Sequence, residues 1–254
     1  MTYIECAHLC KSFGNQPVLK DVSFRFEGGH IYGIVGRNGS GKTVLLKLLC
    51  GFLPADSGSI VINGHPIRKD ANMPENIGAI IETPGFLEQY SGAKNLEFLA
   101  RVGGIIGKDQ VYAAMEQAGL NPHLRRHVRA YSLGMRQRLG IAQAVMENPD
   151  ILLLDEPMNS LDTQGVEQVR NLLLTKKAQG KLILLCTHVR EDVNCSATRY
   201  TESRRVSFCG KKSFLPQYRR LRQYIVRYIP PLPETPASES SKNAARHGFM
   251  KEFR

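Results

Sequence analysis

An eight-residue segment constrains the fold of this chain more than any other feature. It reads Gly-Arg-Asn-Gly-Ser-Gly-Lys-Thr at residues 36–43, between an apolar run at 31–35 and a helix-forming run at 44–49. A G-x-x-x-x-G-K-[ST] loop in this setting wraps its N–H groups around nucleotide phosphates, and its threonine hydroxyl ligates Mg²⁺. A chance glycine-rich turn is the alternative, and the intact flanks weigh against it. We predict that all eight residues of this loop bind the nucleotide: Gly36, Arg37, Asn38, Gly39, Ser40, Gly41, Lys42 and Thr43. Lys42 would also be catalytic, and Thr43 would also ligate the metal.

A buried strand that ends in two acids supplies a second part of such a site. Residues 151–154 are Ile-Leu-Leu-Leu, and Asp155 and Glu156 follow directly. In phosphate-loop NTPases, a carboxylate in this place holds Mg²⁺, and an acid one residue later can polarise the attacking water as general base. We therefore predict Asp155 as a metal ligand and Glu156 as a catalytic base. An ordinary strand followed by a solvated acidic turn is the alternative.

A third motif narrows the choice among phosphate-loop proteins. Residues 131–138 read Tyr-Ser-Leu-Gly-Met-Arg-Gln-Arg, just ahead of a helix predicted at 137–147. The segment resembles the L-S-G-G-Q signature of the ATP-binding cassette (ABC) ATPases at Ser132 and Gly134, although the first glycine and the glutamine are replaced. It is similar in this to the bacitracin- and lantibiotic-resistance exporters. Ser132 and Gly134 would hydrogen-bond a γ-phosphate at the start of a helix, and Ser132 would also cap that helix.

The resemblance implies ATP and Mg²⁺ as cofactors and adds three site residues. Phe13 stands where the family places an aromatic ring against adenine, with a core phenylalanine as the alternative. Asp162 ends a segment, 159–162, that resembles the loop at the family's dimer interface, and we assign it to nucleotide binding. His188 follows an apolar run at 182–185 and resembles the switch histidine that contacts the γ-phosphate. We count it as catalytic.

One departure from the family pattern occurs after the apolar run at residues 77–81. Family members usually have a glutamine there, which reaches Mg²⁺ and couples the nucleotide to the membrane partner, whereas this chain has Glu82. Glutamate can still accept a hydrogen bond or ligate Mg²⁺, but it adds a negative charge near the metal. By resemblance, Glu82 is a nucleotide-site residue and again points to the peptide-antibiotic exporter branch.

The alternation of strand and helix patterns predicts an α/β fold with a mostly parallel central sheet. Residues 3–7 and 18–26 predict an antiparallel β element, and the family adds a helical subdomain at about 85–150. The expected ABC-type phosphate-loop NTPase domain spans residues 2–194. Six irregularly spaced cysteines form no metal or disulfide pattern. Neither a signal peptide nor an apolar run of the ~20 residues that span a bilayer is evident.

The charge of the chain is concentrated at its C-terminal end. The net charge is +11, and residues 197–254 alone carry 13 Lys and Arg against 4 Asp and Glu. The remainder is nearly neutral, which argues against a specific nucleic-acid partner. We therefore expect an atypical basic tail at 195–254, with a disordered Pro- and Ser-rich part.

Two hypotheses account for the tail. Codons can be chosen for residues 195–206 whose shifted reading frame gives a more family-like continuation, which suggests a frame shift near Cys195. The rival is a genuine basic extension that contacts anionic lipid or a partner. Sequencing the gene distinguishes them, because a shifted frame without a cassette-like continuation excludes the first.

The expected function is that of an ATP-hydrolysing transporter subunit. Two chains, or this chain and a similar cassette, would sandwich two ATP molecules and drive export by a transmembrane permease. The chain would then be cytoplasmic, peripheral on the inner face of the cell membrane. One alternative is a soluble ABC ATPase that acts on ribosomes or DNA, although one cassette without sustained heptads argues against it. Another is a hydrolysis-defective remnant, in view of the altered tail.

Overall fold

The structure is a computed structural model. It describes residues 2–67, 74–82 and 84–188, together with the backbone of 207–208 and 226–228. Most of the expected atypical tail at 195–254, including its Pro- and Ser-rich part, lies outside the described residues.

A mostly parallel sheet forms the centre of the molecule. It contains β3 (His30–Val35), β6 (Ile77–Ile80), β7 (Ile151–Asp155) and β8 (Leu182–Thr187), all parallel and in the order β3-β8-β7-β6. Two short strands from the C-terminal region, β9 (Ser207–Phe208) and β10 (Val226–Tyr228), pair antiparallel with the outer edge of β3. The predicted parallel sheet is thereby confirmed.

The apolar runs of the central strands are buried on both faces, as expected for a parallel sheet covered on two sides. Successive side chains of a strand point to opposite faces. Accordingly, Leu152 and Leu154 pack into one core cluster, whereas Ile151 and Leu153 pack into the other. The second cluster also receives the N-terminal β element and α1 (Lys42–Leu49).

A separate antiparallel sheet carries the N-terminal strands in the order β2-β1-β4-β5. Its strands are β1 (Tyr3–Phe13), β2 (Gln16–Glu27), β4 (Ser57–Ile62) and β5 (His65–Pro66). The predicted antiparallel element is confirmed, but β1 extends six residues beyond its predicted end. Register shifts along the β1–β2 pair interrupt the regular alternation of side chains, and this irregularity hides the strand in the sequence.

Four further helices lie between residues 92 and 178. They are α2 (Gly92–Gly103), α3 (Lys108–Gln117), α4 (Leu133–Val145) and α5 (Thr163–Ala178), with a 3-10 turn at Val128–Ala130 before α4. The prediction that α4 begins at residue 137 is wrong. Ser132 caps it, because its hydroxyl accepts a hydrogen bond from the Met135 N–H at 3.2 Å. The signature residues therefore form the first turn of the helix.

Candidate functional site

The predicted motifs meet at one edge of the central sheet, beyond the carboxyl ends of its parallel strands. The phosphate loop follows β3, Glu156 follows β7 and His188 follows β8. Register aligns these ends, because Asp155 and Ile34 both lie opposite Cys186. This edge is where open α/β sheets bind ligands.

The phosphate loop depends on glycine at two positions. Gly39 and Gly41 have φ of 78° and 98°, in the left-handed region that side-chain-bearing residues rarely adopt. A Cβ on Gly41 would also lie 2.9 Å from a methyl group of Val18. Gly41 is the N-cap of α1, so the loop leads directly into a helix N-terminus, which favours anions.

Lys42 is buried and folded back onto its own loop. Its Nζ donates hydrogen bonds to the carbonyl oxygens of Gly36 at 2.6 Å and Arg37 at 3.3 Å. The same Nζ lies 3.6 Å from Glu156 Oε1. A buried ammonium that donates to these carbonyl oxygens is positioned to exchange them for phosphate oxygens.

Thr43 and Asp155 are joined directly. The Thr43 hydroxyl donates a 2.5 Å hydrogen bond to Asp155 Oδ2, and Asp155 is only 8% exposed. Burial raises the pKa of the Asp155 carboxyl above its ordinary value, and the Thr43 hydrogen bond lowers it again in part. Nearby Glu156 and Glu82 add to the rise and Lys42 opposes it.

Glu156 has a strained backbone and a histidine partner. Its φ is 49°, a left-handed conformation that is uncommon for a residue with a side chain. Its N–H donates to the Cys186 carbonyl at 2.8 Å, and its own carbonyl accepts from the Gln137 amide at 3.3 Å. His188 Nδ1 lies 2.9 Å from Glu156 Oε2. The structure thus brings Glu156 and His188, two of the three predicted catalytic residues, together and adds Gln137, which sequence reasoning missed.

Three buried side-chain oxygens at this edge have no hydrogen-bond partner among the described residues. They are Ser40 Oγ, Asp155 Oδ1 and Glu156 Oε1. Buried polar groups are otherwise almost always paired, because leaving one unpaired costs ~1–3 kcal/mol. Three in one place, next to a glycine-rich loop and a helix N-terminus, identify a polar ligand site.

The same donor set fits Mg²⁺. A threonine hydroxyl and a carboxylate with one open oxygen are hard oxygen ligands, and Mg²⁺ is usually held by one or two such groups together with water and substrate phosphates. Within residues 2–67, 74–82 and 84–188, no three His, Cys, Asp or Glu side chains could hold an ion by themselves.

Glu82 lies at the same edge but is engaged elsewhere. Its Oε1 is 2.6 Å from Lys47 Nζ, and its side chain is 62% exposed. Its φ of 61° is again left-handed. Lys47 was missed by sequence reasoning, although its position one helical turn after Thr43 offers a signal.

Phe13 ends β1 with an exposed ring. Its side chain is 49% exposed, and Lys11 Nζ lies 5.5 Å from the ring centroid. The alternative of a core phenylalanine is wrong, because its pairing partner Gln16 closes a tight turn at the sheet margin. An exposed ring is available to stack on a base.

The remaining predicted residues, Ser132, Gly134 and Asp162, lie at the starts of two helices. Ser132 caps α4, as described above, and Asp162 caps α5 by accepting a hydrogen bond from the Gly165 N–H at 2.8 Å. Gly134 packs closely on the 159–162 segment, since a Cβ there would lie 2.8 Å from the Ser160 carbonyl oxygen. The signature turn and this segment therefore form one surface within the chain.

Comparison with known proteins identifies the family. The model of the ABC transporter family matches residues 19–159 of this chain. The chain belongs to the ABC transporter family. It is 42% identical over 190 residues to YybJ, an uncharacterized ABC transporter ATP-binding protein of Bacillus subtilis (strain 168), and the match covers 75% of this chain and 87% of the relative.

Two further relatives have transport functions in their names. The bacitracin transport ATP-binding protein BcrA of Enterococcus faecalis is 36% identical, with 75% of this chain and 62% of the relative covered. The lantibiotic transport ATP-binding protein SrtF of Streptococcus pyogenes is 32% identical, with 75% and 82% covered. The resemblance to these two groups of ABC proteins is thereby confirmed.

The solved structure of the bacterial ABC transporter cassette MJ0796, a dimer, has the same fold. Its TM-score is 0.67 at 23% identity, covering 74% of this chain and 89% of that one. The predicted fold class is confirmed, and this ABC chain is an ATP-binding and ATP-hydrolysing subunit. None of the helices among the described residues is long and apolar enough to cross a membrane.

Proposed function

We propose that this ABC ATPase works as a head-to-tail dimer with two composite sites, each holding ATP and Mg²⁺. The phosphate loop of one chain would bind the phosphates, and Thr43 and Asp155 would bind the metal. Glu156 would polarise the attacking water, and His188 would orient the Glu156 carboxylate. Ser132 and Gly134 of the partner chain would approach the γ-phosphate from the other side. Asp162 would support that contact, because its segment packs against the signature turn.

The observation that carries the proposal is the set of buried oxygens on Ser40, Asp155 and Glu156 that have no hydrogen-bond partner among the described residues. Each lies where the proposed ligand would supply its partner: a phosphate, a metal ion and a water molecule, respectively. Lys42 supports the same arrangement, because its ammonium already lies between the loop and the proposed base. Bound Mg²⁺ would supply charge neutralisation at the phosphates.

ATP hydrolysis by the purified chain tests these roles. Glu156→Gln keeps the shape of the side chain but removes the base, and loss of a positioned general base typically lowers the rate about 10²- to 10⁴-fold. Nucleotide affinity should change little. Glu116→Gln, on the exposed face of α3, is a matched control that should retain full activity. Equal activity of Glu156→Gln and wild type would refute the assignment, and an inactive wild type would favour a hydrolysis-defective remnant.

We infer that the membrane partner is a separate transmembrane permease and that the cargo is a peptide or lipid-like antibiotic. The names of BcrA and SrtF support this direction, although the match spans only 62% of BcrA. The chain would be peripheral on the inner face of the cell membrane. Affinity purification from detergent-solubilised membranes with ATP should recover one polytopic protein in stoichiometric amount. Recovery of ribosomes instead would favour a soluble, non-transport role.

We propose that residues 2–194 form the ATPase domain, with the helical subdomain at about 85–150, and that 195–254 is an atypical tail. The curated relatives named above match over 190 to 192 residues, about 75% of this chain. A frame shift near Cys195 and a genuine basic extension are both compatible with that length. Sequencing the gene distinguishes them.

A further inference from the structure

Helix α1 presents two lysines to the acidic edge of the sheet. Lys42 Nζ lies 3.6 Å from Glu156 Oε1, and Lys47 Nζ lies 2.6 Å from Glu82 Oε1. Between these pairs, Thr43 donates its hydroxyl to Asp155. Thr43 and Lys47 are four residues apart and therefore share one face of the helix. One helix thus contacts all three carboxylates, and its two lysines form ion pairs with Glu82 and Glu156.

The register of the sheet places Glu82 level with Glu156, the residue that follows the proposed metal ligand Asp155. β6 and β7 are parallel, with Ile80 opposite Leu154, so that Glu82 and Glu156 continue their strands at equivalent steps. Burial is the main cause of the raised pKa of the Asp155 carboxyl, and the negative charges of Glu156 and then Glu82 add to it. An uncompensated Glu82 would therefore increase the negative charge of the metal site directly.

We propose that Lys47 is a positioning residue that holds Glu82 away from the Mg²⁺ site and so lowers the affinity of that site for divalent cations. The inference rests on the proposed function, because it requires metal at Thr43 and Asp155. Lys47 neutralises Glu82 and holds its carboxylate one helical turn beyond Thr43, where the Glu82 side chain is 62% exposed. Without Lys47, the Glu82 carboxylate gains the freedom to turn toward the Mg²⁺ ion.

Mn²⁺ is a suitable probe, because it replaces Mg²⁺ at oxygen ligands and its binding is measured directly by electron paramagnetic resonance. The full chain would be titrated with Mn²⁺ in the presence of a non-hydrolysable ATP analogue. The variants are Lys47→Met, Lys47→Arg, Glu82→Gln, the double variant Lys47→Met/Glu82→Gln, and Asp155→Asn. Lys94→Met is the control, because Lys94 forms a comparable exposed ion pair on α2.

Lys47→Met should bind Mn²⁺ about 3- to 10-fold more tightly than wild type, as expected when the uncompensated Glu82 carboxylate approaches a divalent ion in a water-like dielectric. Lys47→Arg should retain the wild-type affinity, since arginine can form the same pair. In the Glu82→Gln background, the Lys47→Met change should have less than a twofold effect. The Lys94→Met control should match wild type.

Two outcomes would overturn the proposal. One is Mn²⁺ affinity in Lys47→Met that equals or falls below wild type. The other is an equally large effect of Lys47→Met in the presence and absence of Glu82, which would mean that Lys47 acts on the metal without it. Asp155→Asn separates these outcomes from failure of the metal site itself. If Asp155→Asn binds Mn²⁺ as wild type does, the proposed site is wrong, whatever Lys47 does.

Discussion

Replacement of Thr43 by valine isolates the hydrogen bond between the phosphate loop and the end of β7. Valine has nearly the same shape as threonine but lacks the hydroxyl that donates to Asp155 Oδ2 at 2.5 Å. The other oxygen, Oδ1, already has no partner among the described residues. In nucleotide-free Thr43→Val, the buried Asp155 carboxylate would therefore lose the side-chain donor that offsets its burial.

The expected loss of stability follows from the burial of this carboxylate. Asp155 is 8% exposed, and a hydrogen bond to a charged group contributes ~1.5–3 kcal/mol. For a folding unit of this size, 1 kcal/mol corresponds to about 2–4 °C in Tm, so that Tm should fall by about 3–12 °C. Once nucleotide and Mg²⁺ are added, the variant should also bind them more weakly.

The pH dependence of this loss has a definite sign. Burial raises the pKa of the Asp155 carboxyl in the folded state, so its charge costs stability at pH values above the unfolded pKa. The Thr43 hydrogen bond offsets part of that cost only while Asp155 is ionised. The difference between wild type and Thr43→Val should therefore be largest at neutral pH and shrink as pH falls through the folded pKa of Asp155.

Urea denaturation of the nucleotide-free protein at several pH values is the assay. Thr43→Ser keeps a hydroxyl and should retain most of the stability, and Thr175→Val, at an exposed position of α5, should change it by less than ~0.5 kcal/mol. In the Asp155→Asn background, the Thr43→Val effect should fall toward that of a neutral hydrogen bond, ~0.5–1.5 kcal/mol. An unchanged effect there, or wild-type stability of Thr43→Val at pH 7, would refute the reasoning.

Three further predictions concern packing, thiol reactivity and base stacking. Gly78→Ala should destabilise the fold by at least ~2 kcal/mol in urea denaturation, because the new Cβ would lie 1.9 Å from a carbonyl oxygen of α4; unchanged stability would contradict this packing. Iodoacetamide at pH 8 should modify partly exposed Cys10 long before Cys50, because burial raises the pKa of the Cys50 thiol to about 12, and peptide mass spectrometry would show the order. Phe13→Ala should weaken ATP binding in calorimetry by about 1–3 kcal/mol through lost stacking, whereas Phe52→Ala, which removes an equally exposed ring, should not.

The sequence predicts the parts of this structure whose pattern is local. The phosphate loop, β7 and β8 are short segments in which every residue needed for the prediction is adjacent to the next. Four apolar residues before Asp155 specify a strand buried on both faces. Because the apolar run stops at Asp155, the carboxylate lies at the carboxyl end of that strand. Their assembly into one site follows from a general rule, because parallel strands place their carboxyl ends together.

Contacts between distant residues could not be predicted in the same way. Lys47 and Glu82 are 35 positions apart, and their pairing depends on the register of β6 against β7 and on the rotation of α1 about its axis. The alternatives for Phe13 had the same origin, since an aromatic residue at the end of a strand can face either the core or the solvent. The start of α4 was misplaced because the capping hydroxyl of Ser132 outweighs the weak helical pattern of the residues that follow it.

The Lys47–Glu82 pair also bears on whether this chain is a hydrolysis-defective remnant. Considered alone, glutamate in place of glutamine adds a negative charge near the buried Asp155. That change would suggest a metal site that is no longer needed for hydrolysis. The structure supplies that charge with a cation from the same helix that carries the phosphate loop. In a site that no longer bound metal, stability alone would not explain the Lys47–Glu82 pair, because an exposed ion pair contributes only ~0–1 kcal/mol. The pair is therefore better explained by the tuning of an active metal site than by the loss of one.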